Sequence, residues 1–474
     1  MIRTRAIPSA LRRAALPTLA SVLIVVAGCS DTSDVSTDSA PATTATSSDG
    51  ASADSAAPDA LVNAAPGGET SDLGGVGTLD SATVHSIAVE LDDAEYEAML
   101  ETYSSTGQKE WIEATVTIDG TTYEQVGIRL KGNSSLRGIA GGGGGAMSDG
   151  SSSQDPETMP WLIDLDHFID GQSHDGLSEL VVRSNGTATS LNEAVALELL
   201  QLAGLASQDA VAAAFSVNGT DEILRLVIDN PDDEWMAEEL DASGALYKAD
   251  SGGDWSYRGE DPDAYEEVFD QEAGDDNADL TPLINLLQFI NESDDATFAA
   301  ELPERLDVDA FATYLAMQDL LANTDDIDGP GNNAYLYYDN DTGQFTVVPW
   351  DYNLAFGSGP GGGPGARGGA AGQLPAGVAQ GDTPAGPTPT EGEDGGFGAG
   401  RGVGGRSNVL VERFLAVDEW NALYEEKVAQ LQAELYDGGV AQGVLDQWST
   451  IVASSGLVDD ATIAGDAERI SQQL

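Results

Sequence analysis

Apolar and polar residues alternate along Val84 to Leu91 with the period of a half-buried strand. Asp92 then opens a short helix, DDAEYEAMLETY, with acids in its first turn. Ile112 to Ile118 and Tyr123 to Leu130 read as a hairpin across Asp119-Gly120. Trp161 to Phe168 and Leu177 to Val182 read as further strands. Ser190 is expected to cap a helix, LNEAVALELLQLAGL, that Gly204 closes. A second hairpin pairs Val211 to Val217 with Ile223 to Ile228 across Asn218-Gly219, and Leu246-Tyr247-Lys248 is a short strand. From about Pro282 the period becomes helical, through PLINLLQFINE, Asp294 to Leu302 and VDAFATYLAMQDLLAN. That run is broken by Asn323 to Gly357: an acidic Gly-Pro loop, a hairpin of Tyr335 to Tyr338 and Phe345 to Val348 around a DNDTG turn, then Asp351. Val409 to Phe414, Glu419 to Leu435 and Val440 to Ala453 end the pattern as amphipathic helices. Strands first and helices later predict an α+β chain of two lobes with a cleft between them.

Composition divides the chain. Residues 1–28 join a basic start (Arg3, Arg5, Arg12, Arg13) to an apolar Leu16 to Val26, the form of a secretory leader. Small residues before Cys29, the single cysteine, resemble a bacterial lipobox, which implies lipidation of Cys29 and a chain held outside the cytoplasm on the cell membrane. With one cysteine there is no disulfide framework and no thiolate metal site. Residues 29–80 are poor in large apolar side chains and read as a disordered acidic tether, ahead of a domain over 81–474. Gly-rich stretches at 138–158 and 357–406 read as flexible inserts within that domain.

The net charge of −62 at pH 7 argues against nucleic acid and anionic membrane surfaces as partners. It also makes each cation informative, since the lysines are only Lys109, Lys131, Lys248 and Lys427. Arg129, Lys131 and Arg137 flank a Gly-Asn-Ser-Ser turn after a strand, a pattern suited to phosphate. The acids and amides of the central stretch (Asp325, Asp326, Asp328, Asn333, Asp351) supply oxygen ligands for a hard cation such as Mg²⁺. Asp328 and Asn333 stand five apart with Asp351 beyond the next hairpin, the order in which kinases place an acceptor-orienting Asp, a metal-binding Asn and a metal-binding Asp. Three histidines without H-E-x-x-H argue against a zinc hydrolase, and the G-x-G-x-x-G match at Gly357 to Gly362 lies in low-complexity sequence with no helix behind it.

The stretches GIRLKGNSSLR, LNEAVALELL, GALYKA, NNAYLYYD and above all VVPWDYNLAFG resemble the spore-coat CotH kinase family, from about residue 85 to about 455. The resemblance implies an atypical protein-kinase-like two-lobed fold. It implies ATP and a divalent metal, Mg²⁺ or Mn²⁺, used to phosphorylate secreted or cell-surface proteins. By position it implies Asp351 and Asn333 as metal ligands and an acceptor-orienting Asp among Asp325, Asp326 and Asp328. Asn353 falls where many family members carry a second acid. Lysines that often follow the Gly-Asn-Ser-Ser turn are absent, which leaves Arg129, Lys131 or Lys248 for the phosphates, with Glu193 as their helix partner. The alternative that these departures open is a catalytically inactive surface module for binding or envelope assembly.

Overall fold

The computed structural model describes residues 75–76, 79–132, 134–136, 155–174, 176–240, 243–250, 254–266, 268–274, 279–323, 325–328, 333–358 and 408–474. The expected leader, Cys29, most of the tether, most of the 138–158 insert and nearly all of 357–406 lie outside these residues.

The strands of the first half close on themselves. After the small pair β1 (Gly75–Val76) and β2 (Leu79–Asp80) come β3 (Val84–Leu91), helix α1 (Asp93–Thr106), β4 (Ile112–Ile118), β5 (Thr121–Leu130), β6 (Trp161–Asp164) and β7 (Glu179–Val182). Helix α2 (Leu191–Leu202), β8 (Ala210–Val217) and β9 (Ile223–Asp229) follow. The order β3-β4-β5-β6-β7-β9-β8 forms a closed barrel, antiparallel except where β8 returns parallel to β3. Closure removes the exposed edges that an open sheet would present. The alternation seen in the sequence fills the interior with Ile87, Val116, Ile128, Ile163, Val182, Phe215 and Val227. Strands β7, β8 and β9 bury their other face as well, through Val181, Ala212, Leu226 and Ile228 against the helical half. That double burial explains their nearly continuous apolar runs.

The second half begins with α3 (Asp233–Glu239), β10 (Gly244–Ala249), β11 (Phe269–Ala273), α4 (Thr281–Glu292), α5 (Asp295–Glu301) and α6 (Val308–Leu320). It continues with β12 (Ala334–Asp339), β13 (Phe345–Pro349), α7 (Val409–Leu415), α8 (Asp418–Leu431), α9 (Val440–Ser454) and α10 (Asp460–Ser471). Strands dominate the first part and helices the second, as expected, and the second part also carries a sheet of its own. The β12–β13 hairpin joins β10 and β11 in an antiparallel sheet of order β11-β10-β12-β13, with Lys248 opposite Tyr335. The fold is α+β, with a barrel and a second sheet packed among helices. Among the described residues no helix is long and apolar enough to cross a membrane.

Several boundaries differ for local reasons. The Trp161 strand stops at Asp164, whose Oδ1 accepts from the Asp166 amide 3.2 Å away and turns the chain. Ser190 stands at the start of α2 but does not cap it: its φ is 51°, and Thr189 Oγ1 accepts from the Leu191 amide instead, at 3.3 Å. Asp92 does cap α1, accepting from the amides of Ala94 and Glu95.

Gly127 shows how tightly β5 is packed. A Cβ there would lie 2.5 Å from the His167 Cβ, and His167 stacks on Trp111 at 4.1 Å. Gly127→Ala is expected to destabilise the chain by about 1–3 kcal/mol through overpacking, read as a lower unfolding midpoint in urea.

Candidate functional site

Period-two alternation on β5 sends Val126, Ile128 and Leu130 into the barrel, so Arg129 and Lys131 project from its outside. Arg129 lies over the Trp111 ring at 4.6 Å, and the Lys131 amine lies 5.8 Å from the Trp350 ring centre. Lys131 Nζ donates to Asn230 Oδ1 at 2.8 Å, and Asn230 donates to Glu179 at 2.5 Å. On β7 the same alternation turns Leu180 and Val182 inward and leaves Arg183, the next outward position after Val181, on the helical side.

Arg183 is the centre of the site. Its guanidinium ion-pairs Glu193 of α2 at 2.7 Å and Asp351, and it lies 5.6 Å from the Trp350 ring centre. The Glu193 side chain is 3 % exposed and that of Asp351 22 %, so one end of the triad is buried and the other opens to solvent. Burial opposes the Arg183 charge, but Glu193 and Asp351 more than offset it and hold the group above the usual arginine range. Burial also raises Glu193, against the pull of Arg183 and of a hydrogen bond from the Tyr352 amide. Asp351 follows β13 with φ 65°, in the left-handed region where an aspartate is strained unless its surroundings hold it. Asn192 helps to do so by donating to the Asn353 carbonyl at 2.5 Å, one helical position from Glu193.

Lys248 enters from β10. Its amine lies 4.9 Å from the Tyr335 ring centre and donates to the Ala249 carbonyl at 3.0 Å. Burial lowers Lys248 to about 8, although Asp351 and Glu272 favour its charge. Lys109, in the loop before β4, falls to about 8 for the same first reason, helped by Lys131 and Arg129. Lys131 is lowered too, by burial first. Lys131 thus shares a field with Arg129 and Arg183, Lys109 with Lys131 and Arg129, and Lys248 with Lys131, whereas Lys427 ion-pairs Asp309 at 2.7 Å. Within this cluster the Nε–H groups of both Arg129 and Arg183 are buried without a protein acceptor among the described residues. Buried donors in that state are satisfied by a ligand or by water, and cationic donors favour an anion such as phosphate.

The structure separates the three acids that the sequence left together. Asp326 is buried at 6 % exposure and accepts from the Asp328 amide at 3.1 Å, which is a turn-holding role. Asp328 is half-buried in that turn. Asp325 receives Asn333: the amide Nδ2 donates to its carbonyl at 2.6 Å and to its Oδ2 at 3.0 Å. Kinase-like spacing favours Asp328 as the acceptor-orienting acid and the Asn323-Thr-Asp325 pattern favours Asp325; of the two, Asp325 is the one that Asn333 contacts. Both amide hydrogens of Asn333 face Asp325, so its Oδ1 is the atom left to act as a ligand.

Glu193 and Asp351 meet through Arg183, a residue that the sequence reading passed over; the ion pair of Glu193 goes to it rather than to Lys131 or Lys248. Lys109 was likewise not singled out. Each is a lone cation in an ordinary context, ELVVRSNG and TGQKEW. The usable hint was their rarity in an acidic chain. Among the described residues no three His, Cys, Asp or Glu side chains gather to hold a metal. The donors present still fit Mg²⁺ in its usual mode, in which one carboxylate (Asp351) and amide oxygens are completed by the phosphates of a bound nucleotide.

Cations scarce in this chain gather here with an aspartate after a hairpin and a helix glutamate, an arrangement whose chemistry suits an anion such as phosphate. The profile of the CotH kinase protein family matches residues 128–470, most of the chain, and the chain belongs to that family. It is also similar to a protein named inner spore coat protein H from Bacillus subtilis (strain 168), 28 % identical over 168 residues. That match covers 34 % of this chain and 45 % of the relative, so less than half of the relative's length is spanned.

Proposed function

We propose that this chain is an extracytoplasmic CotH-type kinase that transfers a phosphoryl group from ATP to a serine or threonine hydroxyl of a secreted or cell-surface protein. The observation that carries the reading is a run of neighbouring cations, with Arg183 and Lys248 beside Asp351, Lys131 over Trp350, and Arg129 and Lys109 next to Lys131, in which two buried guanidinium N–H groups have no protein acceptor among the described residues, in a chain of net charge −62. Lys131 and Lys248, with Arg129, hold the phosphates. Arg183, fixed by Glu193, sets the position of Asp351. Asp325, fixed by Asn333, orients the acceptor hydroxyl and takes its proton as the hydroxyl oxygen bonds to the γ-phosphorus. The bond from that phosphorus to the bridging oxygen breaks, and ADP leaves. Asp351 and Asn333, with Asn353 near by, would hold Mg²⁺ or Mn²⁺, which supplies charge neutralisation for the phosphates. The chain is held to the membrane through a lipid on Cys29, and the spore-coat name of the relative supports a surface association.

The Arg183–Asp351 ion pair favours a second reading, a catalytically inactive surface module, because it ties up a carboxylate that a metal would need. Binding of ATP without transfer would support that reading.

Binding is tested by titrating Mg-ATP into the purified chain by calorimetry. Lys109 and Lys248 lose their protons at about 8 in the free protein, so anion affinity is greatest below that pH and weakens above it. The dissociation constant is expected to rise between pH 8 and 9 by up to about tenfold for each lysine that must take up a proton. Lys131→Met should weaken binding at pH 7 by roughly tenfold or more. Absence of binding, or binding indifferent to Lys131, would overturn the proposal.

A further inference from the structure

Behind the Arg183 centre, α2 carries a second buried acid. Glu198 is 8 % exposed and has no hydrogen-bond or ion-pair partner among the described residues. It lines a small pocket, with a cavity volume of about 10 Å³, together with Gln201, Gln208, Asp209 and Trp448. Gln208 is 1 % exposed, and its Oε1 is a buried acceptor without a partner among the described residues, while its Nε2 donates to the Pro349 carbonyl at 3.2 Å. Trp448 Nε1 is a buried donor in the same state. Gln201 donates to Asp209 Oδ1. Two carboxylates and an unused amide oxygen converge here, and no cation offsets the effect of burial and of Asp209 on Glu198. A largely buried carboxylate with neither hydrogen-bond donor nor counter-charge is costly, and the pocket is large enough for one ion or one water to relieve it.

We infer that this pocket is a site for a hard divalent cation of the calcium type, held by the carboxylates of Glu198 and Asp209 and by Gln208 Oε1. Oxygen donors of mixed charge suit Ca²⁺, and any further ligands would be waters on the open side of the pocket. The site lies outside the proposed phosphate centre but is connected to it twice. Glu198 shares α2 with Glu193, and Gln208 holds the carbonyl of Pro349, two residues before Asp351. A bound cation would therefore brace α2 against the turn that presents Asp351, whether or not the chain transfers phosphate.

The test uses the full chain freed of metal with EDTA, with CaCl₂ as the probe, read by calorimetry and by thermal unfolding. The wild type and Asp351→Asn are both expected to bind Ca²⁺ at this site and to unfold at higher temperature with it. Glu198→Gln should bind at least tenfold more weakly and lose most of the shift. A diffuse response of the acidic surface would persist in Glu198→Gln, so an equal shift in that variant overturns the assignment. Loss of the response in Asp351→Asn alone, or no response in the wild type, overturns it as well. If Glu198→Gln does not fold, Asp209→Asn is read in its place with the same expectations.

Discussion

Arg183→Met is expected to destabilise the chain by about 3–5 kcal/mol, because it leaves the buried Glu193 carboxylate without its ion-pair partner and beside the like charge of Asp351. Methionine keeps much of the length and apolar body of the side chain, so most of the loss is electrostatic rather than a cavity. The loss should also depend on pH with a definite sign. Glu193 is already held above the usual carboxylate range, and removing Arg183 raises it further. A carboxyl whose folded value is raised binds its proton more tightly folded than unfolded. Its contribution is therefore favourable at low pH and is lost as pH rises through the folded value. Urea unfolding should show a smaller deficit at pH 5 than at pH 8. Arg183→Met with Glu193→Gln should recover part of the loss, since removing both partners of a buried pair is milder than removing one. A single variant within about 0.5 kcal/mol of the parent at pH 8 would mean that the pair does not hold the site together.

Local elements were legible in the sequence because local chemistry makes them. Asp119-Gly120 takes positive φ at both positions, as a tight hairpin turn requires, and β4 and β5 pair on either side of it. The β12–β13 hairpin around DNDTG is set the same way, with Gly343 at φ 74°. The barrel was not legible. Its closure depends on β8 lying parallel to β3, a pairing between Val84 and Ala212 that no turn or period announces. The same limit hid the second sheet, where Lys248 and Tyr335 become neighbours across a long stretch of chain. In the site, Asp351, Asn333, Glu193, Lys131 and Lys248 were named from motif and rarity. Arg183 was not, because its importance comes from what β7 and α2 bring to it. Among Asp325, Asp326 and Asp328 the sequence could not show that Asp326 is buried while Asp325 receives Asn333.

Asp351→Asn carries the second large expectation. Asparagine tolerates the left-handed backbone at this position as well as aspartate does, so the variant keeps the turn after β13, which alanine would strain. What it removes is the charge that faces Arg183 and that would hold a divalent metal beside the phosphates. A single preorganised charge of this kind is commonly worth about 10²–10³-fold in rate. Nucleotide binding through Lys131, Lys248 and Arg129 should change far less, so the loss should fall on transfer rather than on affinity.

The most direct measurement is transfer of the γ-phosphate of labelled ATP by the purified full chain, to itself and to a serine-containing acceptor protein, with Mg²⁺ or Mn²⁺ supplied. The predicted result is metal-dependent label on hydroxyl side chains with the wild type, and a drop of at least about 100-fold with Asp351→Asn in a chain that still folds and still binds ATP. No label with the wild type, or undiminished label with Asp351→Asn, would contradict the account.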